Sequence, residues 1–386
     1  MARFGDALAT GADLVSAAER AVLRAMEPLD GPADLVCFFV CGADPEEVTL
    51  AGERVMALSD GAVAIGCSST GVIGGARGVE QQGGVSVWAA RLPDVTVTPF
   101  RLDVIPEGDH LAVVGMHEPD PTDRAALLLV NPYEFPAQSF VERSTAALGG
   151  LPVVGGLADG MQGQESVRLF LEGGVTDSGA IGLLLGGDSV LGTVVSQGCR
   201  PVGPAMAITK AEGNMILELA GSPAYEKLES LVNALPAEEQ ELAGQGLHIG
   251  VAMDEYADRH ERGDFLVRSV VGADPDLGAL TISDMVEVGQ TVRFQVRDHE
   301  TADSDLLERL RMFDEDTSGR TAAALVFSCN GRGASMFSTA DHDVRAVRQS
   351  LGINAVSGFF AAGEIGPVGG RNHLHSFTAC LLAFEE

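Results

Sequence analysis

The 386-residue chain is 46% hydrophobic and carries 55 acidic against 25 basic side chains, a formal charge of -30. That apolar content is enough for a sizeable core in one large domain or two, while the charge repels phosphate backbones and anionic lipid and so excludes nucleic acid and a membrane surface as partners. Six cysteines, none in a C-x-x-C pair, make no disulfide framework in so long a chain and point to a reducing cytoplasm.

Residues 1–28 have acidic side chains where an export signal needs an unbroken apolar core. Leu14, Val15, Ala18, Val22 and Met26 recur at helical spacing, so this segment is expected to be an N-terminal amphipathic helix. DLVCFFVCG (34–42) then reads as a buried strand, and Asp44-Pro45-Glu46-Glu47 opens a helix with an N-cap, an N1 proline and a capping glutamate. AVAIGC (62–67), a glycine-rich loop SSTGVIGGARG (68–78) and a return strand GVSVWAARL (84–92) follow.

The same order returns twice. AALLLVN (125–131) precedes a helix from Pro136 to the Gly149-Gly150 stop, then LPVVGG, the loop LADGMQGQE and the strand GAIGLLLG. AALVFSC (323–329) precedes a helix from about Asp341 to Leu351 with Gly352 as its C-cap, then NAVSGFF, the loop AAGEIGPVGGRN and the strand SFTACLLAF. A weaker fourth echo, GLHIGVAM with DFLVRSVVG and GALTIS, has strands but no helix. Between the second and third copies, AMAITKAEGNMILELAG reads as a hairpin turning at Glu212-Gly213-Asn214, with a helix starting at Ser222-Pro223. PAEEQELAGQG (236–246) is polar and marks a candidate domain junction near residue 240. The expected fold is α/β, with mixed β-sheets covered by helices in two lobes built from repeated strand-helix-strand-strand units.

Several separated blocks then carry a resemblance. SQGCRPVGP with the ITKAEGN, ILEL and GSPAYEKL run, the segment 263–298, FSCNGRG (327–333) and GFFAAGEIGPVGGRNHLHSFTA (358–379) stand in the order seen in the FIST family, named for F-box and intracellular signal transduction. The resemblance covers roughly residues 30–384. It implies a FIST N-type domain over 29–240 and a FIST C-type domain over 241–386, acting together as an intracellular sensor of amino acids or related small ligands. Members are often fused to output modules, for which this chain leaves no room, so any signal is expected to pass through a separate protein partner.

Candidate site residues sit at the ends of the predicted strands. Glu364 on its glycine-rich loop suits a ligand ammonium and Arg332 suits a carboxylate in a forked hydrogen bond, while the plain alternative has the two pairing with each other. Cys329 and Asn330 adjoin Arg332, and Asn372 and His375 complete the set from the same C-terminal stretch. Cys329 beside arginine and exposed amides suggests a liganding or modifiable thiol, against the plain reading of a buried apolar residue. Cys67, Ser68, Ser69 and Thr70 offer hydroxyls and amides to an anionic group, but lack a P-loop's lysine. Cys199 and Arg200 are a further pair, with structural ion pairing of Arg200 as the alternative. His373 and His375 have no companion at a metal-site spacing, so neither metal nor cofactor is expected. The expected function is reversible binding of a small polar metabolite without turnover. The rivals are a thiol-dependent hydrolase or transferase using Cys329, and a protein-binding scaffold.

Overall fold

The computed structural model describes residues 1–108, 110–255 and 263–386. The chain forms two compact units: Met1–Ser196 with Leu306–Leu374 and Thr378–Glu386, and Gln197–Asp305 with His375–Phe377. The architecture is mixed α/β.

The first unit opens with β1 (Arg3–Thr10) and α1 (Leu14–Met26). The expectation of helix throughout residues 1–28 is therefore corrected at its start: Arg3–Thr10 pair antiparallel along a sheet edge that would otherwise leave its backbone groups open. Next come β2 (Leu35–Cys41), α2 (Pro45–Leu58), β3 (Val63–Ser69), β4 (Gly71–Gly74), β5 (Arg77–Glu80) and β6 (Gly84–Arg91). Asp44 caps α2 by accepting from the Glu46 N–H, with Pro45 at N1, as the sequence signals. Strands β7 (Thr96–Glu107) and β8 (His110–Val114) lead into the second copy, β9 (Asp123–Val130), α3 (Ala137–Ala147), β10 (Val153–Leu157), β11 (Leu169–Leu171), β12 (Gly174–Thr176) and β13 (Ala180–Gly186). Strand β14 (Val190–Gln197) follows.

The intervening segment builds the second unit: β15 (Cys199–Pro201), β16 (Met206–Glu212), β17 (Met215–Leu219), β18 (Ser222–Pro223), α4 (Ala224–Ala234), α5 (Ala237–Gln245), β19 (Leu247–Ala252), β20 (Phe265–Asp274), β21 (Ala279–Ile282) and β22 (Thr291–Arg297). Helix α6 (His299–Asp316) returns the chain to the first unit and its third copy, which consists of β23 (Thr321–Cys329), α7 (Ala334–Phe337), α8 (His342–Leu351), β24 (Ala355–Ala361), β25 (Glu364–Val368), β26 (Arg371–His375) and β27 (Thr378–Glu385).

In every copy the first and second strands are parallel and the last strand returns antiparallel beside the first, giving β6-β2-β3, β13-β9-β10 and β27-β23-β24. In the first and third copies the glycine-rich segments expected as loops (68–78 and 361–372) form strand hairpins, whereas in the second copy 157–165 is a loop with a short 3-10 turn and the hairpin follows it; each hairpin leaves its own sheet. Hairpin β4–β5 joins the third copy at β24, β11–β12 joins the first at β3, and β25–β26 joins the second at β10. The exchange is cyclic, so each copy's open edge is covered by the next copy.

The strands are apolar without interruption because both faces are buried. In β2, Leu35, Cys37, Phe39 and Cys41 point into a central cluster shared by all three sheets, while Val36, Phe38 and Val40 meet the residues of α1 and α2. In β23, Ala323, Leu325 and Phe327 take the inner face, and Ala324 and Val326 pack with α6 and α8. One glycine position is common to all copies: Gly66, Gly155 and Gly358 stand opposite Phe38, Leu128 and Val326, and a Cβ on them would lie 2.3, 1.9 and 1.7 Å from those carbonyl oxygens. Only glycine lets the parallel pair close there.

In the second unit β16, β17, β21, β20, β19 and β22 pair in succession, and β22 pairs back to β16, so the described strands close an antiparallel ring. The hairpin expected at Gly213 is β16–β17. The fourth echo at β19–β21 is corrected: these strands pair antiparallel within the ring and do not form the parallel pair of a further copy. The junction expected near residue 240 falls within α5.

Candidate functional site

Strand β23 ends at Cys329, and the turn after it is held tightly. The Asn330 N–H donates to the Ala361 carbonyl at 2.9 Å, the Gly331 N–H to Cys329 Sγ at 3.4 Å, and the Arg332 N–H to the Cys329 carbonyl at 2.8 Å. This folds the Arg332 side chain inward, where it is completely buried. Its Nε and Nη2 donate to Asp343 Oδ2 and Oδ1 at 2.9 and 2.8 Å, a two-pronged ion pair with the first turn of α8. Ser328 Oγ adds a hydrogen bond to Asp343 Oδ2 at 2.6 Å, and His342 Nδ1 lies 2.9 Å from Oδ1. The Phe337 ring carries the Arg332 guanidinium carbon 5.3 Å from its centre and stacks on His342 at 3.5 Å. Burial alone would raise the Asp343 pKa, but the Arg332 charge and these hydrogen bonds outweigh it and hold the carboxyl well below the usual range.

Glu364 begins β25 opposite Gly156 and is also completely buried. Its Oε2 accepts from the Thr378 N–H at 3.0 Å and from Thr378 Oγ1 at 2.8 Å. Burial pushes its pKa up to about 8, against the opposing effects of Thr378, the neighbouring Cys329 thiol and the Arg332 charge. Glu364 is therefore largely protonated at neutral pH.

Two atoms of this cluster are left over. Arg332 Nη1 has no acceptor among the described residues, and Glu364 Oε1 receives no N–H or O–H donor. Buried polar atoms without partners are few in folded proteins and costly where they occur. Here one belongs to a cation and the other to a carboxyl group beside the same thiol.

The structure thus brings Cys329, Arg332 and Glu364 together, with Asn330 exposed at the rim. Arg332 takes Asp343 as its ion-pair partner, and Glu364 takes Thr378. The other expected site residues have structural partners. Asn372 clamps β26 to the second copy, accepting from the Val153 N–H at 2.9 Å and donating to Ser144 Oγ and the Leu151 carbonyl, both at 3.0 Å. Cys67 lies in the central core, where desolvation raises its pKa. Ser68 Oγ donates to the Asp159 carbonyl and accepts from the Arg168 N–H, Ser69 Oγ donates to the Gly71 carbonyl, and the Thr70 carbonyl accepts from the Gln81 N–H. Those hydroxyls hold the start of the hairpin. In the second unit Cys199 is buried opposite Arg297, and Arg200 bridges Glu239 at 2.8 Å and Asp298 at 3.0 Å, the structural ion pairing weighed as its alternative. His375 is buried and grouped with the second unit. Among the described residues no three His, Cys, Asp or Glu side chains are grouped as metal ligands.

Sequence reasoning missed Asp343 and Thr378. A signal existed for the first: Asp343 shares the buried face of α8 with Val344, Ala346, Val347 and Leu351, and a carboxylate on such a stripe needs a buried cation. Two cavities lie elsewhere in the first unit. One of about 590 Å³ is lined by Arg3, Phe4, Arg320, Asn354 and Glu385, and one of about 540 Å³ by Tyr133 and Phe135. Neither includes Cys329, Arg332 or Glu364.

The chain matches the family model of the FIST N domain over residues 34–222 and that of the FIST C domain over 224–367. It belongs to the FIST family. FIST domains are sensory domains of signal transduction that bind small ligands. The chain is similar to an uncharacterized protein of Mycobacterium tuberculosis, 39% identical over 386 residues that span all of both chains. It is also similar to an uncharacterized protein of Mycobacterium bovis, 37% identical over 385 residues, or 100% of this chain and 99% of that one. Among the described residues no helix is long and apolar enough to cross a membrane.

Proposed function

We propose that this FIST protein is a cytoplasmic sensor that binds a small metabolite of the amino-acid class at Arg332 and Glu364, without turnover, and signals through a separate protein partner. The observation that carries the reading is a pair of buried atoms, Arg332 Nη1 without an acceptor and Glu364 Oε1 without an N–H or O–H donor among the described residues. A ligand carboxylate would accept from the first, and a ligand ammonium would pair with the second once Glu364 ionises. The positive ligand favours the ionised carboxyl, so binding near neutral pH releases the proton that burial keeps on Glu364. Asp343 holds the arginine in place and Thr378 the glutamate. Opening of the Asn330–Gly331 turn admits the ligand.

A thermal-shift screen of the full chain against amino acids and their derivatives tests this. A ligand at a hundredfold over its Kd adds about 2.7 kcal/mol of stability. One ligand class is expected to raise Tm, and Glu364→Gln and Arg332→Ala to abolish the effect. If Arg332→Ala fails to fold, the Glu364→Gln arm decides. No shift with any member, or a shift indifferent to Glu364→Gln, overturns the proposal.

A second reading has a specific observation in its favour: Cys329 Sγ accepts the Gly331 N–H and lies beside the Glu364 carboxyl. In a thiol-dependent hydrolase that carboxyl, when ionised, would take the thiol proton. Turnover of simple esters or amides by the wild type but not by Cys329→Ser would decide for it and against a sensor.

A further inference from the structure

In the first unit the hairpin β7–β8 offers a surface that the reading above leaves unused. Thr96–Leu102 of β7 pair with β13, whereas Asp103–Glu107 pair with β8, the last strand of its seven-stranded sheet. Folded proteins blunt such edges with charge, proline, a bulge or a cover. Strand β5, at the end of another sheet, has a cover: the Gly78 N–H donates to Asp341 Oδ1 at 2.9 Å. Strand β8, HLAVV, holds no carboxylate, lysine, arginine or proline, its register with β7 is unbroken, and among the described residues no strand pairs with its outer side. Val113 lies opposite Val104 and Leu111 opposite Pro106, so these four share one face. On that face Val104 and Leu111 line the cavity of about 540 Å³ together with Tyr133 and Phe135. Leu111 is 68% and Tyr133 50% exposed, so an open edge and an apolar groove lie side by side.

Charge selects the occupant. From Leu102 to Asp123 the sequence holds acidic residues and no lysine or arginine. Glu107, Glu118 and Asp120, which flank β8 in the chain, are exposed, as is Glu134 on the groove. A second copy would bring two such acidic borders together, each on a chain of charge -30. A basic partner is attracted instead.

We propose that the outer edge of β8 and the groove beside it dock an extended segment of a partner protein in which apolar residues alternate with lysine or arginine. The main chain of that segment adds a strand to β8. Its apolar side chains fall on the face of Leu111 and Val113, and its basic ones project to the opposite face, within the acidic field. The surface would serve the separate partner of the proposed sensor; it rests on that reading for its role and not for its binding.

The probe is a fluorescein-labelled peptide, KVKLKVK, titrated into the full chain and read by anisotropy. It should bind saturably. The same peptide N-methylated throughout keeps its charges, loses every main-chain donor and should bind at least about tenfold more weakly, since one hydrogen bond can be worth that much. Leu111→Lys, at an exposed position, gives the edge a blunting charge and should abolish binding. Glu364→Gln should leave binding intact, which separates failure here from failure of the proposed amino-acid site. Absence of binding, equal binding of the methylated peptide, or equal binding by Leu111→Lys overturns the proposal. So does a wild-type dimer in sedimentation that Leu111→Lys converts to monomer, since a second copy then occupies the edge.

Discussion

Arg332 and Asp343 form a fully buried pair, and such pairs are fragile to the loss of one member. Asp343→Ala leaves the guanidinium in the core without its counter-charge and should cost about 3–5 kcal/mol in a denaturant titration. The double variant Arg332→Met/Asp343→Leu removes both charges and should recover much of that loss. Glu364 makes stability depend on pH in the opposite sense to a salt-bridged acid. Its unfolded pKa is 4.5 and its folded value about 8. The folded state therefore holds one more proton across this window, and stability falls as pH rises through it. Asp343, with a depressed pKa, loses its contribution only in acid. Asp6, raised to about 6 chiefly by burial, adds a smaller fall below that value. Thermal melts across the range should show Tm declining toward pH 8 in the wild type, and a clearly flatter profile in Glu364→Gln.

At the scale of the element, the device that recurs is a parallel strand pair with a glycine where the two backbones approach. Gly358→Ala places a Cβ 1.7 Å from the Val326 oxygen, and that atom is backbone and cannot turn aside. The substitution should destabilise by about 3 kcal/mol, the upper end of overpacking costs. Gly369→Ala, in the β25–β26 turn at φ +59, meets no atom within 4 Å and pays only backbone strain. It should lose about 1–2 kcal/mol. Equal losses in urea titrations of the two variants would contradict the close-approach argument.

Across the whole first unit, the cyclic exchange of hairpins leaves no copy able to complete its own sheet. Native-state hydrogen exchange should therefore find β2, β9 and β23 opening with one shared free energy, whereas independent copies would give three. The copies themselves, their glycine punctuation and the proline-led starts of α2 and α3 were legible in the amino-acid sequence, because periodicity, capping and turn chemistry act over a few residues. So were Cys329, Arg332 and Glu364 as candidates. The destination of each hairpin was not legible, since an exposed edge is an equally good partner whichever copy supplies it, and packing of the common core chooses. The same holds for the site. Neighbouring residues in the sequence, Arg332 among them, say which groups carry charge, but Asp343 and Thr378 come from segments far apart in the chain. Only burial in the folded molecule decides which of those groups is neutralised and which, like Arg332 Nη1, is left without an acceptor among the described residues.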